Sequence, residues 1–236
     1  FKKIGKFFNR SIIVSFMMVI TAGLALSVFV IDGASKAEIP EEPSALKQQN
    51  PIEIYAADNK TLIAKLQPEG GVRTVVDNDR ISDHMKDALV SAEDKTFWEN
   101  PGISFKGIAS AAIKHAKNDP TAGGGSTVTQ QLVKNTLVGD EYSLDRKVKE
   151  ALSSMKLTAS WTKEDIITAY LNTIYFGRGA LGIEEASQAY FGIHAAELNP
   201  SQSALIAGII QAPSEYDPVS NREKAEYRLS LIHISE

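Results

Sequence analysis

The sequence predicts a mainly α-helical domain, preceded by a small β-hairpin and one transmembrane helix. Three observations support this architecture. Apolar residues recur at helical spacing from about residue 81 onward, in segments separated by glycine, proline and capping residues. An uncharged apolar stretch near the N-terminus is long enough to cross a bilayer. Between these regions, two short runs of alternating polarity flank a turn.

The composition limits the classes of function. The chain has 236 residues, enough for one sizeable core, and its 25 basic and 29 acidic residues predict no nucleic-acid partner. Cysteine is absent, which excludes disulfide scaffolds and cysteine-ligated metals and is typical of an exported domain. The histidines show no metal-ligand spacing. They lie at positions 84, 115, 194 and 233.

The predicted transmembrane anchor spans residues 11–31, "SIIVSFMMVITAGLALSVFVI", which contain no charge. As a helix, such a segment would be about 30 Å long, the thickness of a hydrocarbon core. Basic residues precede it and Asp32 follows, so the positive-inside rule predicts a cytoplasmic tail at 1–10 and an extracytoplasmic remainder. The alternative is a cleaved signal peptide, but its apolar region would be shorter and "DGASKAE" is a poor cleavage site.

Three further boundaries follow from composition. Residues 32–50 are polar with two prolines and are typical of a linker. Residues 51–70 include "IEIYAADNKTLIAKL", which predicts a hairpin about a turn at 58–60. Residues 71–228 form the predicted helical domain. The last residues, 229–236, continue no pattern and resemble a translated sequencing adapter, so we expect a non-native tail.

The helical segments can be justified in order. Ser82 is the predicted N-cap of the first helix, whose apolar face has Met85, Leu89 and Val90. The second helix stops at Pro120, and the third begins at the cap Ser126. The apolar positions of the second helix are Phe105, Ile108, Ala112, Ile113 and Ala116. The predicted buried stripe of the fourth helix is Leu144, Val148, Leu152, Met155 and Ala159.

The last segments complete this helical domain. A capping-box pattern, Thr162 to Asp165, opens the fifth helix. The segment "IEEASQAYFG" follows, and then "NPSQSALIAGIIQAP", which is apolar on nearly every side and therefore predicts a core helix.

Three groups of residues are candidates for chemistry. Glu93 and Asp94 precede the aromatic residues Phe97 and Trp98, and a carboxylate beside aromatic surface can have its pKa raised and act as a general base. The alternative interpretation is two acids at an ordinary helix end.

The second group is Arg146, Lys147 and Glu150. Arg146 and Glu150 share a helix face opposite the Val148–Met155 stripe, which is also ordinary salt-bridge spacing. A functional interpretation requires an anion near these two consecutive cations.

The third group, the glycine stretch 123–125, offers a place for that anion. Glycines allow close backbone approach, and the free N–H groups at the start of the Ser126 helix favour negative charge, with Lys134 two turns on. A surface loop before a capped helix is the alternative.

Other motif matches are discarded. "GRGALG" at 177–182 follows a helix and lacks a βαβ context, and the glycine stretch lacks the lysine of a phosphate-binding loop. The S-x-x-K matches at 44–47 and 153–156 have no partner motifs. No organic cofactor is therefore expected.

Five motifs in order resemble those of the peptidoglycan glycosyltransferases, glycosyltransferase family 51: "EDKTFWENPG", "GGSTVTQQLVKN", "RKVKE", "KEDIITAYLN" and "RGALGIEEA". The resemblance implies a lysozyme-like, mainly α fold and an enzyme that polymerises lipid II outside the membrane. The transfer would invert the anomeric centre and release polyprenyl pyrophosphate. The N-terminal region resembles that of a bifunctional class A penicillin-binding protein, with a monofunctional transglycosylase as the closest alternative.

The resemblance also implies residue roles. Glu93 would be the general base, and Glu150 would organise the pyrophosphate side, directly or through a divalent cation such as Mg²⁺ or Mn²⁺. The cations that would offset the pyrophosphate charge are Lys134, Arg146 and Lys147. The residues that would hold sugar and phosphate oxygens are Gly125, Ser126, Thr127, Gln130 and Gln131. The supporting residues would be Asp94, Phe97, Asn172 and Arg178.

The chain departs from the family pattern at three positions. Asn100 replaces a usual histidine, Thr168 a usual glutamate, and Tyr142 a residue that is basic in some members. The implied partners are lipid II, lipid-linked glycan, the membrane and other cell-wall synthesis proteins, with no nucleic acid. We expect a single-pass cell-membrane protein with a flap near 119–122.

Two questions stay open from the sequence. Core packing and lipid contact are equally open for the aromatic residues Phe97, Trp98 and Phe105. A lytic enzyme on the same fold and a non-catalytic scaffold are the competing functions, although a lytic enzyme would have no use for Lys134 and Arg146.

Overall fold

A computed structural model describes residue 21 and residues 39–41, 52–55, 62–66, 73–117, 125–139 and 143–233. The predicted hairpin is confirmed: Ile52–Tyr55 (β1) and Leu62–Leu66 (β2) pair antiparallel, with a register shift at the end of β1. The turn predicted at 58–60 lies outside the described residues.

The predicted transmembrane segment, 11–31, lies outside the described residues apart from Thr21, as does the tail at 1–10. Among the helices that are described, none combines the length and the apolar character needed to cross a bilayer. The single-pass topology therefore stays a prediction.

The predicted linker has a short part that is packed on the domain. Ile39 lies against the helical core, and the carbonyl oxygen of Pro40 accepts a hydrogen bond from Trp161 Nε1 at 3.2 Å. The predicted linker at 32–50 stays a prediction, because most of its residues lie outside the described ranges.

The described part of the domain is mainly helical, as predicted, whereas the lysozyme-like likeness stays a prediction. Its α-helices are Asp83–Glu93 (α1), Phe105–Ala116 (α2), Val128–Val133 (α3), Leu144–Ser160 (α4), Lys163–Thr173 (α5), Ile183–Phe191 (α6), Pro200–Ile209 (α7) and Arg222–His233 (α8). A π-helical turn, Lys134–Val138, extends α3. One 3₁₀ turn, Asn78–Arg80, precedes α1, and another, Ala195–Glu197, lies between α6 and α7.

Capping boxes fix the starts of α3, α5 and α7. The predicted box at Thr162 and Asp165 is confirmed. The cap predicted at Ser126 is wrong by one residue: the Thr127 hydroxyl accepts from Gln130 N, and the Gln130 side chain accepts from Thr127 N. This reciprocal pair satisfies two helix-end donors, so it defines the start of α3.

The core lies mainly between α1, α3, α5 and α7. The predicted apolar face of α1 is buried, and α1 packs against the core helix α7. The apolar face predicted for α2 is not buried: Phe105, Ile108 and Ile113 are exposed, and the exposed fraction of Phe105 is 69%. These side chains are therefore not core residues in the described structure.

The stripe predicted to be buried on α4 is wrong. Val148 and Leu152 are half-buried, Ala159 is exposed and Met155 is 40% exposed, while the Leu144 side chain lies outside the described set. The buried side chains of α4 are instead Glu150, Ser153, Ser154 and Leu157. The helix turns its small and charged residues inward because its partner α3 presents a polar side chain, Gln130, to Glu150.

The C-terminal residues form part of α8, which continues to His233. The expectation that 229–236 continues no structural pattern is therefore wrong for 229–233, since those residues extend a helix. Their predicted non-native origin stays a prediction.

Candidate active site

A cavity of about 340 Å³ lies between the end of α1, one face of α2 and the start of α3. It brings Glu93 to the same space as Gly125 and Ser126, so the first and third candidate groups of the sequence meet. Gly123 and Gly124 lie outside the described residues. The full lining is Ser91, Ala92, Glu93, Asp94, Lys95, Thr96, Ser104, Lys106, Gly107, Ser110, Gly125, Ser126 and Thr127.

Glu93 is half-buried at the C-terminal end of α1. One of its carboxylate oxygens, Oε2, accepts a hydrogen bond from Gln131 Nε2 at 2.9 Å. The Oε1 atom of Gln131 in turn accepts from the Tyr170 hydroxyl at 2.7 Å. Burial, and then the negative charge of Glu93, raise the pKa of Tyr170 well above its ordinary value. The phenol is therefore a neutral donor at physiological pH.

Asp94, next in sequence, is buried and faces the protein. Its carboxylate accepts two bonds from Asn100 Nδ2, at 3.1 and 3.0 Å, one from the Thr96 hydroxyl at 3.0 Å, and one from Val128 N at 3.2 Å. These contacts join the turn after α1 to the first residue of α3. The predicted supporting role of Asp94 in the chemistry stays a prediction.

Asn100, which replaces the usual histidine, holds the same turn together. Besides bonding Asp94, its Oδ1 accepts from Gly102 N at 3.0 Å and from Lys163 Nζ at 3.3 Å. Burial lowers the pKa of Lys163, although the charge of Asp94 opposes the effect. The neutral amide thus provides both a donor for Asp94 and an acceptor for the backbone.

The aromatic residues divide into two environments. Phe97 is fully buried, with the ring of Trp98 at 5.0 Å in an edge arrangement and Lys163 Nζ 4.7 Å from its ring centre. Phe97 is therefore a core residue, which settles its alternative. Trp98 and Phe105 are exposed, so the lipid-contact alternative stays a prediction for them.

Gly102 is the point at which three segments of the site meet. Its φ is +93°, and a Cβ built there would lie 2.3 Å from the carbonyl oxygen of Ser154 on α4. Its own carbonyl oxygen accepts from the Thr127 hydroxyl at 2.7 Å. Any side chain at this position would separate α4 from the turn after α1.

Glu150 is 1% exposed and its carboxylate is surrounded by donors. Oε2 accepts from Arg146 Nη1 at 2.9 Å, and Oε1 accepts from Lys147 Nζ and from Gln130 Nε2, the latter at 3.2 Å. Lys147 Nζ also donates to the Ser126 hydroxyl at 3.0 Å. Lys147 therefore connects the second candidate group to the cavity wall. With two cations and one carboxylate, this group has a net charge of +1.

The residues around Glu150 do not fit a divalent cation. Both of its oxygens accept bonds from cationic or amide donors, and a metal would have to displace Lys147 or Arg146. Within the described ranges, no group of three or more acidic or histidine side chains could hold a metal ion.

The other predicted site residues have protein partners. The polar side-chain atoms of Thr127, Gln130 and Gln131 make the protein bonds described above, so their contacts with sugar or phosphate stay predictions. Lys134 is half-buried in the π-helical turn. Two predicted supporting residues do not line the cavity. Asn172 bonds both backbone polar groups of Val76, and Arg178, at φ +54°, lies 3.7 Å from Asp217.

Sequence reasoning missed part of the site. Lys95, Lys106 and Ser110 line the cavity, and Tyr170 reaches Glu93 through Gln131. Lys106 and Ser110 are four residues apart on α2, a spacing that puts them on one polar face and could have been noticed. Nothing in the sequence indicates the Tyr170 contact, because the fold alone brings α5 to α3.

Comparison with known proteins identifies the family of the chain. The family model described as transglycosylase matches residues 59–234, three quarters of the chain. The chain belongs to the transglycosylase family. It carries a peptidoglycan glycosyltransferase domain.

Similar proteins are known from several bacteria. Penicillin-binding protein 1A of Mycolicibacterium smegmatis is 42% identical over 83% of this chain and 25% of its own length. Penicillin-binding protein 1A/1B of Bacillus subtilis is 36% identical over 98% of this chain and 25% of its own length. A crystal structure of penicillin-binding protein 1A from Haemophilus influenzae is 21% identical over 80% of this chain and 18% of that one, with a TM-score of 0.40. The chain thus spans about a quarter of the length of the curated relatives it matches.

Proposed function

We propose that this domain polymerises lipid II into glycan strands at the outer face of the cell membrane. The observation that supports this most is the shared cavity: Glu93 lies on one wall, and Ser126, bonded to Lys147, lies on another. An acid that can take a proton and a cation that can meet a leaving phosphate are thus placed about one ligand-sized space.

Glu93 is proposed as the general base. Gln131 occupies its Oε2, and among the described residues Oε1 has no hydrogen-bond partner. This oxygen would accept the proton of the 4-hydroxyl of the acceptor sugar. The hydroxyl oxygen then bonds to the donor's anomeric carbon as the bond from that carbon to the pyrophosphate oxygen breaks, which inverts the centre. The proton ends on Glu93 and the electron pair on the pyrophosphate.

The cationic side of the cavity is proposed to hold that pyrophosphate. Lys147 is at the Ser126 hydroxyl, and Arg146 is beside Lys147 in the sequence. Lys134 lies in the π-helical turn that extends α3, the helix that begins two residues after Ser126. Cations preorganised where charge develops stabilise the transition state more than the ground state. Glu150 would hold Arg146 and Lys147 in place, and the mechanism uses no divalent cation.

The membrane setting is part of the proposal. Lipid-linked substrates require the cavity to lie near the bilayer surface, and α2, which lines it, has an exposed apolar face of Phe105, Ile108 and Ile113. We propose that this face and Trp98 contact lipid. By analogy with the relatives, the natural protein is proposed to be a bifunctional class A penicillin-binding protein, anchored by residues 11–31 and working with other cell-wall synthesis proteins.

The test is a polymerisation assay with purified lipid II, in which products are separated by length. We expect Glu93→Gln to lower the rate at least about 100-fold, since a general base contributes on that order. Glu99→Gln is the matched control, because Glu99 is exposed on the turn that follows Glu93. Normal strands from Glu93→Gln would remove the base assignment. Release of short fragments from cell-wall sacculi without lipid II consumption would instead indicate a lytic enzyme.

A further inference from the structure

We infer that Tyr170, acting through Gln131, is a positioning residue that orients the Glu93 carboxylate and leaves its Oε1 atom to take the proton. The inference rests on the proposed function, because it assigns a role in setting up the general base. Tyr170 is fully buried on α5 and touches neither the cavity nor, by this account, the substrate.

The direction of each hydrogen bond in this chain follows from the chemistry of its end group. An ionised Glu93 can only accept, so the amide of Gln131 must present its NH₂ group to the carboxylate. The amide oxygen is then turned towards α5, where the Tyr170 hydroxyl donates to it. All three groups are satisfied when Glu93 is charged.

A proton on Oε2 of Glu93, the oxygen bonded to Gln131, would reverse the direction of both hydrogen bonds. The amide would turn its oxygen to Glu93 and its NH₂ group to Tyr170, whose hydroxyl would then have to accept. In the described part of the structure, Gln131 is the sole hydrogen-bond partner of the Tyr170 hydroxyl. Its hydrogen would therefore be buried without an acceptor, and that penalty opposes a proton on Oε2 and leaves Oε1 as the oxygen that takes the proton of the acceptor sugar.

The other groups around Glu93 do not perform this role. The helix α7, packed against α1, has no ionisable side chain, and neither has α3. Asp94 is held by Asn100 and Thr96. The charged side chains that line the cavity with Glu93 are Asp94, Lys95 and Lys106, and Lys147 reaches the cavity wall at Ser126. These charges act on Glu93 only through space, whereas Tyr170 fixes the orientation of the Gln131 amide, which donates to Glu93.

Tyr170→Phe tests the inference because it removes one hydroxyl and keeps the buried ring. In the lipid II assay we expect kcat to fall about ten-fold with KM unchanged, since the base is misoriented and substrate contacts are not. Tyr190→Phe is the control: its hydroxyl donates to the Phe176 carbonyl oxygen at 2.9 Å, away from the cavity.

A double-mutant comparison separates positioning from structural support. If Tyr170 acts through Gln131, Tyr170→Phe should add almost nothing to Gln131→Leu, whereas independent effects on kcat would multiply. Rates are divided by the folded fraction measured by circular dichroism, so a loss of stability cannot imitate the fall in kcat. An unchanged kcat, or multiplying effects, would overturn the inference while an active wild-type protein upheld the proposed function. Failure of the wild-type protein to elongate lipid II would count against the function itself.

Discussion

Glu93 and Glu150 are both held by glutamines of α3, yet their surroundings differ in almost every other respect. Glu93 is half-buried, bonds one neutral amide and keeps one oxygen free of partners among the described residues. Glu150 is buried, and two cations and an amide occupy its oxygens. These surroundings fit the two proposed roles. A general base needs an oxygen without a hydrogen-bond partner, whereas an acid that holds cations in place has both of its oxygens occupied.

The largest difference between the two acids should be in stability. Glu150→Ala leaves Arg146 without its buried partner and Gln130 without an acceptor, and breaking a buried ion pair costs about 3–5 kcal/mol. Glu93→Ala should cost less than about 1 kcal/mol, since its carboxylate borders the cavity. Urea unfolding measures both values. Equal losses of unfolding free energy would mean that Glu93 contributes as much to stability as Glu150.

A smaller effect should isolate the contact between Gln130 and Glu150. Gln130→Leu removes both a capping-box bond and the donor to Glu150, and should cost about 2 kcal/mol of unfolding free energy. Gln202→Leu is the matched control, because Gln202 occupies the same position in the capping box of α7 and has no buried acid to serve. We expect it to cost less than about 1 kcal/mol. Similar losses from both variants would contradict a special link to Glu150.

The smallest effect concerns Glu184, a buried acid remote from the cavity. Burial raises its pKa, but bonds from Ala195 N at 2.9 Å and from His194 outweigh it and hold the pKa below its ordinary value of 4.5. A lowered folded-state pKa contributes stability above the unfolded value, which is lost as the pH falls through the folded value. Glu184→Gln should therefore cost about 1 kcal/mol at pH 7.

The pH dependence of that cost provides the check on Glu184. Thermal melts between pH 7 and 3 should show the gap between wild type and Glu184→Gln closing below about pH 4.5. Glu99→Gln, on an exposed turn, should show no such closure. A gap that is constant over this range would mean that the carboxylate charge contributes nothing.

The order of the helices from α1 to α7 was predictable because local signals specify them, whereas α8 was not predicted. The Thr162 capping box, the apolar face of α1 and the uniformly apolar α7 each act within one segment, and each is confirmed. The cap of α3 was placed one residue early because two adjacent hydroxyl residues, Ser126 and Thr127, offer the same chemistry, and only the return bond from Gln130 distinguishes them.

The faces of α2 and α4 were not predictable from periodicity. Helical spacing identifies which residues share a face but not whether that face meets protein, and on α4 the charged face was buried because Gln130 receives Glu150 there. Nothing in the sequence indicated that Gln130 bonds Glu150 while Gln131 bonds Glu93. Their roles depend on where α4 and α5 lie around α3, which is a property of the tertiary fold.

The amide at position 100 has a consequence for how the enzyme tolerates acidity. A histidine side chain at this position would gain or lose a proton near neutral pH, and its hydrogen bond to Asp94 would change with its charge. Asn100 has no proton to exchange in that range and bonds Asp94 and Gly102 in the same way at every pH. The turn beneath the cavity therefore has no protonation step at position 100, and an acid response of the protein must come from other groups, such as Glu184.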